Sequence, residues 1–505
     1  MATPASKIAQ SLGALKALQD AGVVAIRATD LSRVHRERLV KSGFIRAVMK
    51  GWYIPERPAG PAGESTDWYA SFWPFCAAYL NERFGDDWCF GAEQSIALHT
   101  GNWNVPRQLL VRATRGGNKP TGLLHDTSIF DSRLEVPPPA QIQVIEGLRL
   151  MRLPEALIVS APGHFMSHPV EMRAALAMIG DASDVLGRLL DGGHSTVAGR
   201  LAGAFRNIGR DKIAETIIAT MKAADYVVTE ADPFTTKPLI VIGQRETSPV
   251  VNRMRLSWAE MRETVMERFP GAPGLPADVP WYLHQVEDIY VTDAYNSLSI
   301  EGYRVSAELI ERVRSGNWNP DNRADREHQD ALAARGYWQA FQKVRDTVGR
   351  ILTGENAGEA TYTDHGSWYR ELFSPSVTAG ILKPADLAGY RSCPVFIRQS
   401  MHVPPRSEAV RELMPAFFDL LRDEPEPAVR VVLGHFFFVN VHPYFDGNGR
   451  IGRFLMNAML ASGGYPWTVV PLDQRTRYMS ALEAASVSRD IRPFADLLAE
   501  LLGHS

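Results

Sequence analysis

Residues 442–453 read HPYFDGNGRIGR, which puts an imidazole, a carboxylate, three glycines and two arginines into one short segment. Few structural loops need that mixture. The run before it, PAVRVVLGHFFFVNV from Pro427, is apolar enough for a buried helix. The run after it, RIGRFLMNAMLASGG, repeats Ile451, Phe454, Leu455, Ala458 and Met459 at helical spacing on one side. The segment is therefore predicted as the elbow of a helix–loop–helix. Asp446, Gly447, Asn448 and Gly449 then stand at the start of the second helix, where unpaired backbone N–H groups and the positive end of the helix dipole favour an anion. Glycines there let a phosphate approach the backbone. His442, at the end of the first helix, suits proton transfer near neutral pH. Asp446 suits a hard divalent cation, and Arg450 and Arg453, at i and i+3, can grip successive phosphates from one helix face.

The motif resembles that of the Fic family, H-P-F-x-D/E-G-N-G-R-x-x-R, at every polar and glycine position, with Tyr444 in place of Phe as the one departure. The resemblance implies a mostly α-helical Fic domain over residues 250–505 and transfer of a nucleotide monophosphate, usually AMP from ATP, to a protein Ser, Thr or Tyr hydroxyl, on another chain or on this one. On that reading His442 is the catalytic base and Asp446 holds Mg²⁺. Gly447, Asn448, Gly449, Arg450 and Arg453 bind the nucleotide, with loop N–H groups and the Asn448 side chain stabilising the transferring phosphoryl group. Asn457 and Tyr478 fall where the family places adenosine contacts, although each also suits helix packing. His435 reads as a packing residue.

A second site lies far upstream. In YNSLSIEGYRV, Ser297 and Glu301 share a helix face at i and i+4, and Gly302 is placed to end that helix. Alone, the spacing S-x-x-x-E-G is common. Beside the catalytic motif it matches the family's inhibitory helix, whose glutamate pairs with the second arginine, here Arg453, and takes the place of the ATP γ-phosphate. The resemblance thus implies self-inhibition. Residues 393–407, CPVFIRQSMHVPPRS, read as a β-hairpin; in Fic proteins that hairpin is the flap, to which a target segment adds as a strand.

Toward the N-terminus, residues 7–21 suit a helix with Ile8, Leu12, Leu15 and Leu18 on one face. A short helix from Asp30, a helix carrying Arg33, Arg36, Arg38 and Lys41, a stop at Gly43 and two strand-like pieces from Phe44 to Ile54 follow. This is the order of a winged helix-turn-helix over residues 1–60. Between Arg27 and Lys50 the basic residues Arg27, Arg33, Arg36, Arg38, Lys41, Arg46 and Lys50 face only Asp30 and Glu37. Such local basicity is what duplex DNA requires, with Arg33, Arg36, Arg38 and Lys41 as the contacts; a solvated basic helix used for protein contacts is the plainer alternative. The leucine pattern with LVKSG and GWYIP resembles AbiEi-type antitoxins, whose N-terminal domain binds DNA. That resemblance implies an α+β continuation over residues 61–235.

The aromatic run DWYASFWPFCAAYLNERF reads as a core helix, GAEQSIALHTG as another, and QLLVRAT and IQVIEGLRLMRL as strands. Residues 168–226 read as helices without chemistry. GHSTVAG lacks the nucleophile-elbow spacing, and RGGNKPTG is not a P-loop. A boundary is expected at 235–250, where ADPFTTKPLIVIGQRETSPVV interrupts the helical pattern with a short β-like run.

The 505 residues give room for several domains. Net charge is −3, so any nucleic-acid surface must be local. Cys76, Cys89 and Cys393 form no C-x-x-C pair, which points away from a disulfide framework or cysteine zinc site and toward a reducing cytoplasm. No signal peptide or membrane span is expected. Two other classes stay open. One is a DNA-binding autoregulator whose Fic domain only senses or binds, as a homodimer if two half-sites are matched. The other is a Fic enzyme that removes AMP or transfers another phosphate-containing group.

Overall fold

The computed structural model describes residues 4–58, 65–238, 248–316 and 329–503. The chain divides into two compact units: residues 1–253 with 396–403, and residues 254–395 with 404–505. The β-like run expected after Pro238 lies outside the described residues. Among the described residues no helix is long and apolar enough to cross a membrane.

The first unit begins with the helix Pro4–Asp20, the two-residue strand Ile26–Arg27, the helix Arg33–Lys41 and a hairpin of Ile45–Met49 with Trp52–Pro55. Strand 52–55 is central in this antiparallel sheet, with Ile26 opposite Tyr53 and Arg46 opposite Ile54. Leu15, Ile26, Leu31, Leu39 and Ile45 close a small core beneath it. The expected short helix from Asp30 does not form. Instead the Asp30 carboxylate accepts from Arg27 N–H at 2.8 Å, which turns the chain. Ser32 then caps the one helix present by accepting from His35 N–H. The order is therefore helix, strand, helix, hairpin, without two consecutive helices.

The aromatic run forms the helix Thr66–Phe84, and its rings are core. Trp68 meets Phe72 and Phe75 edge to face at 5.5 and 5.4 Å, and its indole donates to Thr127. It packs with a four-stranded sheet ordered 88–90, 108–113, 128–133, 120–122, in which 108–113 and 128–133 run parallel. A hairpin of Ile142–Ile145 with Leu148–Met151 and helices from Leu153 to Ala223 follow. The 108–113 strand and this hairpin agree with the sequence reading.

Residues 396–403 belong to the first unit, and the β-hairpin expected over 393–407 is absent. A turn at Arg398 and Gln399 exists, closed by Ser400 N–H to Ile397 C=O at 3.2 Å, but no strand flanks it. Pro394, Pro404 and Pro405 remove ladder donors. The Met401 carbonyl accepts instead from Val105 N–H at 2.9 Å, and Gln399 N–H donates to the Thr66 hydroxyl at 3.0 Å.

The second unit is helical. Its helices Pro427–Val441 and Asn448–Gly463 are buried almost all round, as their apolar sequences require. Gly336 lets the helices Gln329–Leu352 and Ala357–Thr378 approach closely, since a β-carbon there would lie 2.0 Å from the Leu372 carbonyl oxygen. Glu424, 5% exposed, accepts from the Arg262 guanidinium and the Trp258 indole, tying helix Pro249–Arg268 to the chain before helix Pro427–Val441. Removing one partner of such a buried pair costs about 3–5 kcal/mol.

Candidate active site

Helix Pro427–Val441 ends at His442, whose backbone is left-handed at φ 53° and ψ 59°. Such a conformation costs a non-glycine residue about 1–2 kcal/mol, and surrounding bonds enforce it. The His442 N–H donates to Phe438 C=O at 3.0 Å. Its Nδ1 is 3.1 Å from Val439 C=O, so Nδ1 carries the proton and Nε2 keeps its lone pair. Burial lowers the imidazole pKa to about 4, against the opposing pull of the Val439 carbonyl and of Glu301 and Asp446. The ring is neutral at pH 7.

Two side chains hold the loop. The Asn448 amide accepts from Tyr444 N–H and donates to Tyr444 C=O, both at 2.9 Å. Its amide thus fixes the shape of the loop between His442 and the second helix. Arg391, 4% exposed, donates to His442 C=O at 2.8 Å, to Cys393 C=O at 3.2 Å and to Pro405 C=O. Burial lowers its pKa to about 10. The sequence carried no signal for Arg391, because its carbonyl partners come from loops that only the fold brings together.

Gly447, at φ 77°, turns the chain into helix Asn448–Gly463, and its N–H donates to Asp446 Oδ1 at 2.6 Å. Asp446 Oδ2 lies 3.5 Å from Arg450 Nη2; the Asp446 side chain is 55% exposed and that of Arg450 1%. Tyr303 and Phe373 flank the Arg450 guanidinium at 5.2 and 5.0 Å. Neither ring was foreseen. Arg450 Nε and Nη2 are buried with no hydrogen-bond partner, and so is Arg453 Nη1.

Arg453 donates from Nε to the Ser297 hydroxyl at 2.9 Å, and from Nη2 to Ser297 C=O at 3.0 Å and Glu301 Oε1 at 2.7 Å. Burial works against the Glu301 charge, but Arg453 and Arg450 outweigh it and hold the carboxyl below its usual range. Burial likewise opposes the Arg453 charge, and Glu301 holds its pKa above the usual guanidinium value. Gly302, at φ 93°, ends the helix Val279–Ile300 as its position implies. A β-carbon on Gly449 would lie 2.3 Å from Glu301 Oε1, so the carboxylate sits directly over the first turn of helix Asn448–Gly463.

The structure thus brings His442, Asp446, Gly447, Gly449, Arg450 and Arg453 together with Ser297 and Glu301. Asn457 and Tyr478, expected as adenosine contacts, are buried beside Arg453. The Asn457 amide donates to Arg453 C=O and Thr468 C=O and accepts from Thr468 N–H, and it is 1% exposed. Tyr478, also 1% exposed, has its hydroxyl 2.7 Å from His435 Nε2. Both hold the fold around Arg453. In the other unit, Arg33 is ion-paired with Glu37, Arg36 donates to Ala28 C=O and Arg38 to Lys7 C=O, while Lys41 is exposed. Among the described residues, no three His, Cys, Asp or Glu side chains gather as a metal cluster. A cation at Asp446 would therefore depend on phosphate oxygens for most of its ligands.

Residues 365–460 match the sequence model of the Fic/DOC family. The protein adenylyltransferase Fic of Nematostella vectensis is 30% identical over 244 residues, 48% of this chain and 53% of that protein. The Drosophila willistoni protein of the same name is 28% identical over 218 residues, 42% of this chain and 40% of its own length. The chain thus spans about half the length of these curated relatives or less. Among solved structures, Fic-1 (residues 134–508) from C. elegans aligns over 70% of this chain and 88% of its own, at 16% identity and a TM-score of 0.37. A Fic family protein from Desulfovibrio desulfuricans aligns over 51% and 73%, at 18% identity and a TM-score of 0.32. The helix–loop–helix elbow that carries His442 and both arginines lies inside the matched stretch, and over residues 365–460 the chain carries a Fic domain.

Proposed function

We propose that the protein is a self-inhibited protein adenylyltransferase, moving AMP from ATP to a protein hydroxyl. The observation that carries this reading is the set of buried guanidinium N–H groups of Arg450 and Arg453 that make no hydrogen bond, beside a glycine-flanked helix N-terminus, with a carboxylate already bound to Arg453. Buried donors of this kind fit an anion, and a helix start favours phosphate. ATP fits the donor set. Asp446, exposed and with Oδ2 outside its own loop's hydrogen bond, fits Mg²⁺ held mainly by phosphates; such an ion would offset phosphate charge.

Neutral His442 takes the proton of the target hydroxyl on Nε2 as that oxygen bonds to the α-phosphorus. The bond to the bridging oxygen breaks, and pyrophosphate leaves with the electron pair. The backbone N–H groups at the start of helix Asn448–Gly463 are placed for charge growing on the α-phosphoryl oxygens. Arg450 and Arg453 are placed for the outer phosphates. Glu301 supports the inhibited state because it holds the guanidinium that a γ-phosphate would need.

Intact-mass analysis of the purified chain and its Glu301→Gly variant after incubation with ATP and Mg²⁺ tests the reading. The expected result is a gain of one AMP in a fraction of the molecules, abolished by His442→Ala with ATP binding retained. A gain of one phosphate would assign a different transfer, and no gain in either protein would return the domain to a binding or sensing role. For the N-terminal unit we propose duplex DNA contact through the exposed Arg33 and Lys41, on local basicity alone.

A further inference from the structure

Behind Arg453 lies a second carboxylate. Asp293 stands one turn before Ser297 and two before Glu301 along the same helix, Val279–Ile300 and its cap. It is 4% exposed, and its Oδ2 accepts a 2.6 Å hydrogen bond from the phenol of Tyr337 on helix Gln329–Leu352. Among the described residues it has no ion-pair partner within bridging distance. Burial raises its pKa to about 6, and Tyr337, the Trp467 side chain and the Arg453 charge pull against that rise. A core can fill such a position with an apolar side chain at lower cost, so a carboxylate here asks for a role.

Its chemistry imposes an order on its neighbours. An ionised carboxylate only accepts, so the Tyr337 phenol must donate to it. The phenol oxygen then has lone pairs for the Ser297 hydroxyl, with which it interacts. The Ser297 oxygen in turn accepts from Arg453 Nε at 2.9 Å. The Tyr337–Asp293 bond thus ties helix Val279–Ile300 to helix Gln329–Leu352 one turn before Ser297, whose hydroxyl and carbonyl hold Arg453.

We propose that Asp293 and Tyr337 are positioning residues that fix the Ser297 hydroxyl and the last turn of its helix, and so set how firmly Glu301 holds Arg453. The inference rests on the self-inhibited reading above and assigns the support of that inhibition. Tyr337 is fully buried, with its ring 4.7 Å from Phe454, so Tyr337→Phe keeps the packing and removes only the hydroxyl. Asp293→Leu keeps much of the volume and removes the acceptor; Asp293→Asn keeps an acceptor.

The experiment measures AMP transfer from labelled ATP by the full chain, with each variant made in the wild-type and Glu301→Gly backgrounds and its thermal midpoint recorded. Tyr337→Phe and Asp293→Leu are expected to raise the wild-type rate about fivefold, the factor one hydrogen bond of ordinary net strength supplies. They are expected to leave the Glu301→Gly rate unchanged within about twofold, since no latch remains to loosen, and Asp293→Asn to stay repressed. A merely structural role would move both backgrounds together. If Glu301→Gly raises the rate while Tyr337→Phe and Asp293→Leu leave the wild-type rate unchanged, or lower it in both backgrounds, the anchor is overturned and the latch stands. If Glu301→Gly itself has no effect, the latch reading fails, and the anchor with it.

Discussion

Replacing Glu301 by glycine removes one charge-assisted bond, Arg453 Nη2 to Glu301 Oε1 at 2.7 Å, and clears the space over Gly449. The Arg453 side chain is 4% exposed and that of Glu301 28%, so water screens little of the interaction. A hydrogen bond between charged groups contributes about 1.5–3 kcal/mol. If ATP must displace that bond to seat its γ-phosphate, removing it raises the transfer rate by about tenfold to somewhat over a hundredfold, at about 1.4 kcal/mol per decade. Backbone effects work the other way only weakly, because Glu301 is the helix cap and not an interior position. The assay follows labelled AMP on the chain itself for wild type, Glu301→Gly, Arg453→Ala and the double variant. Arg453→Ala added to Glu301→Gly is expected to cancel the gain. Equal rates for wild type and Glu301→Gly would refute the reasoning. Faster loss of AMP from a modified target in wild type than in Glu301→Gly would instead make Glu301 part of a removal reaction.

The pH dependence follows from the His442 pKa of about 4. With the neutral ring as the proposed base, transfer by Glu301→Gly is expected to be level from about pH 6 to 8 and to fall only in acid, whereas an ordinary histidine would halve the rate near about pH 6.5. Linkage has the same sign: the folded ring binds fewer protons than the unfolded one between about pH 6.5 and 4, so its contribution to stability is present above that window and lost as pH falls through it. An apparent pKa near the ordinary value in a pH–rate series would refute the assignment of the neutral base. For the N-terminal unit, a gel-shift titration with duplex DNA is expected to show affinity falling steeply with salt, and Arg33→Ala with Lys41→Ala to weaken it. Salt-independent binding, or none, would return helix Arg33–Lys41 to protein contacts.

Much of the local structure was legible because neighbouring residues set it. The elbow at 442–453, the aromatic helix Thr66–Phe84 and the Ile45–Pro55 hairpin each carry their own periodicity and stop signals. Strand 88–90 is too short to show a period, and the parallel pairing of 108–113 with 128–133 depends on a distant partner. The loop over 393–407 looked like a hairpin because its turn is local. Its lack of strands follows from its prolines and from the Val105 N–H that takes the Met401 carbonyl.

By itself the sequence set out the groups of the candidate site: an imidazole, a glycine-rich loop, two arginines, and a Ser and a Glu one turn apart. Periodicity reports which side chains share a face of one helix. It does not report which faces meet. Only tertiary structure decided that Arg453 lies against Ser297 and Glu301, the latter 152 residues upstream, and that Arg391 ties the His442 carbonyl to the chain at Pro405. The physical reason is that each of these bonds joins groups whose encounter depends on how whole helices pack, and packing is a property of surfaces brought together from distant parts of the chain.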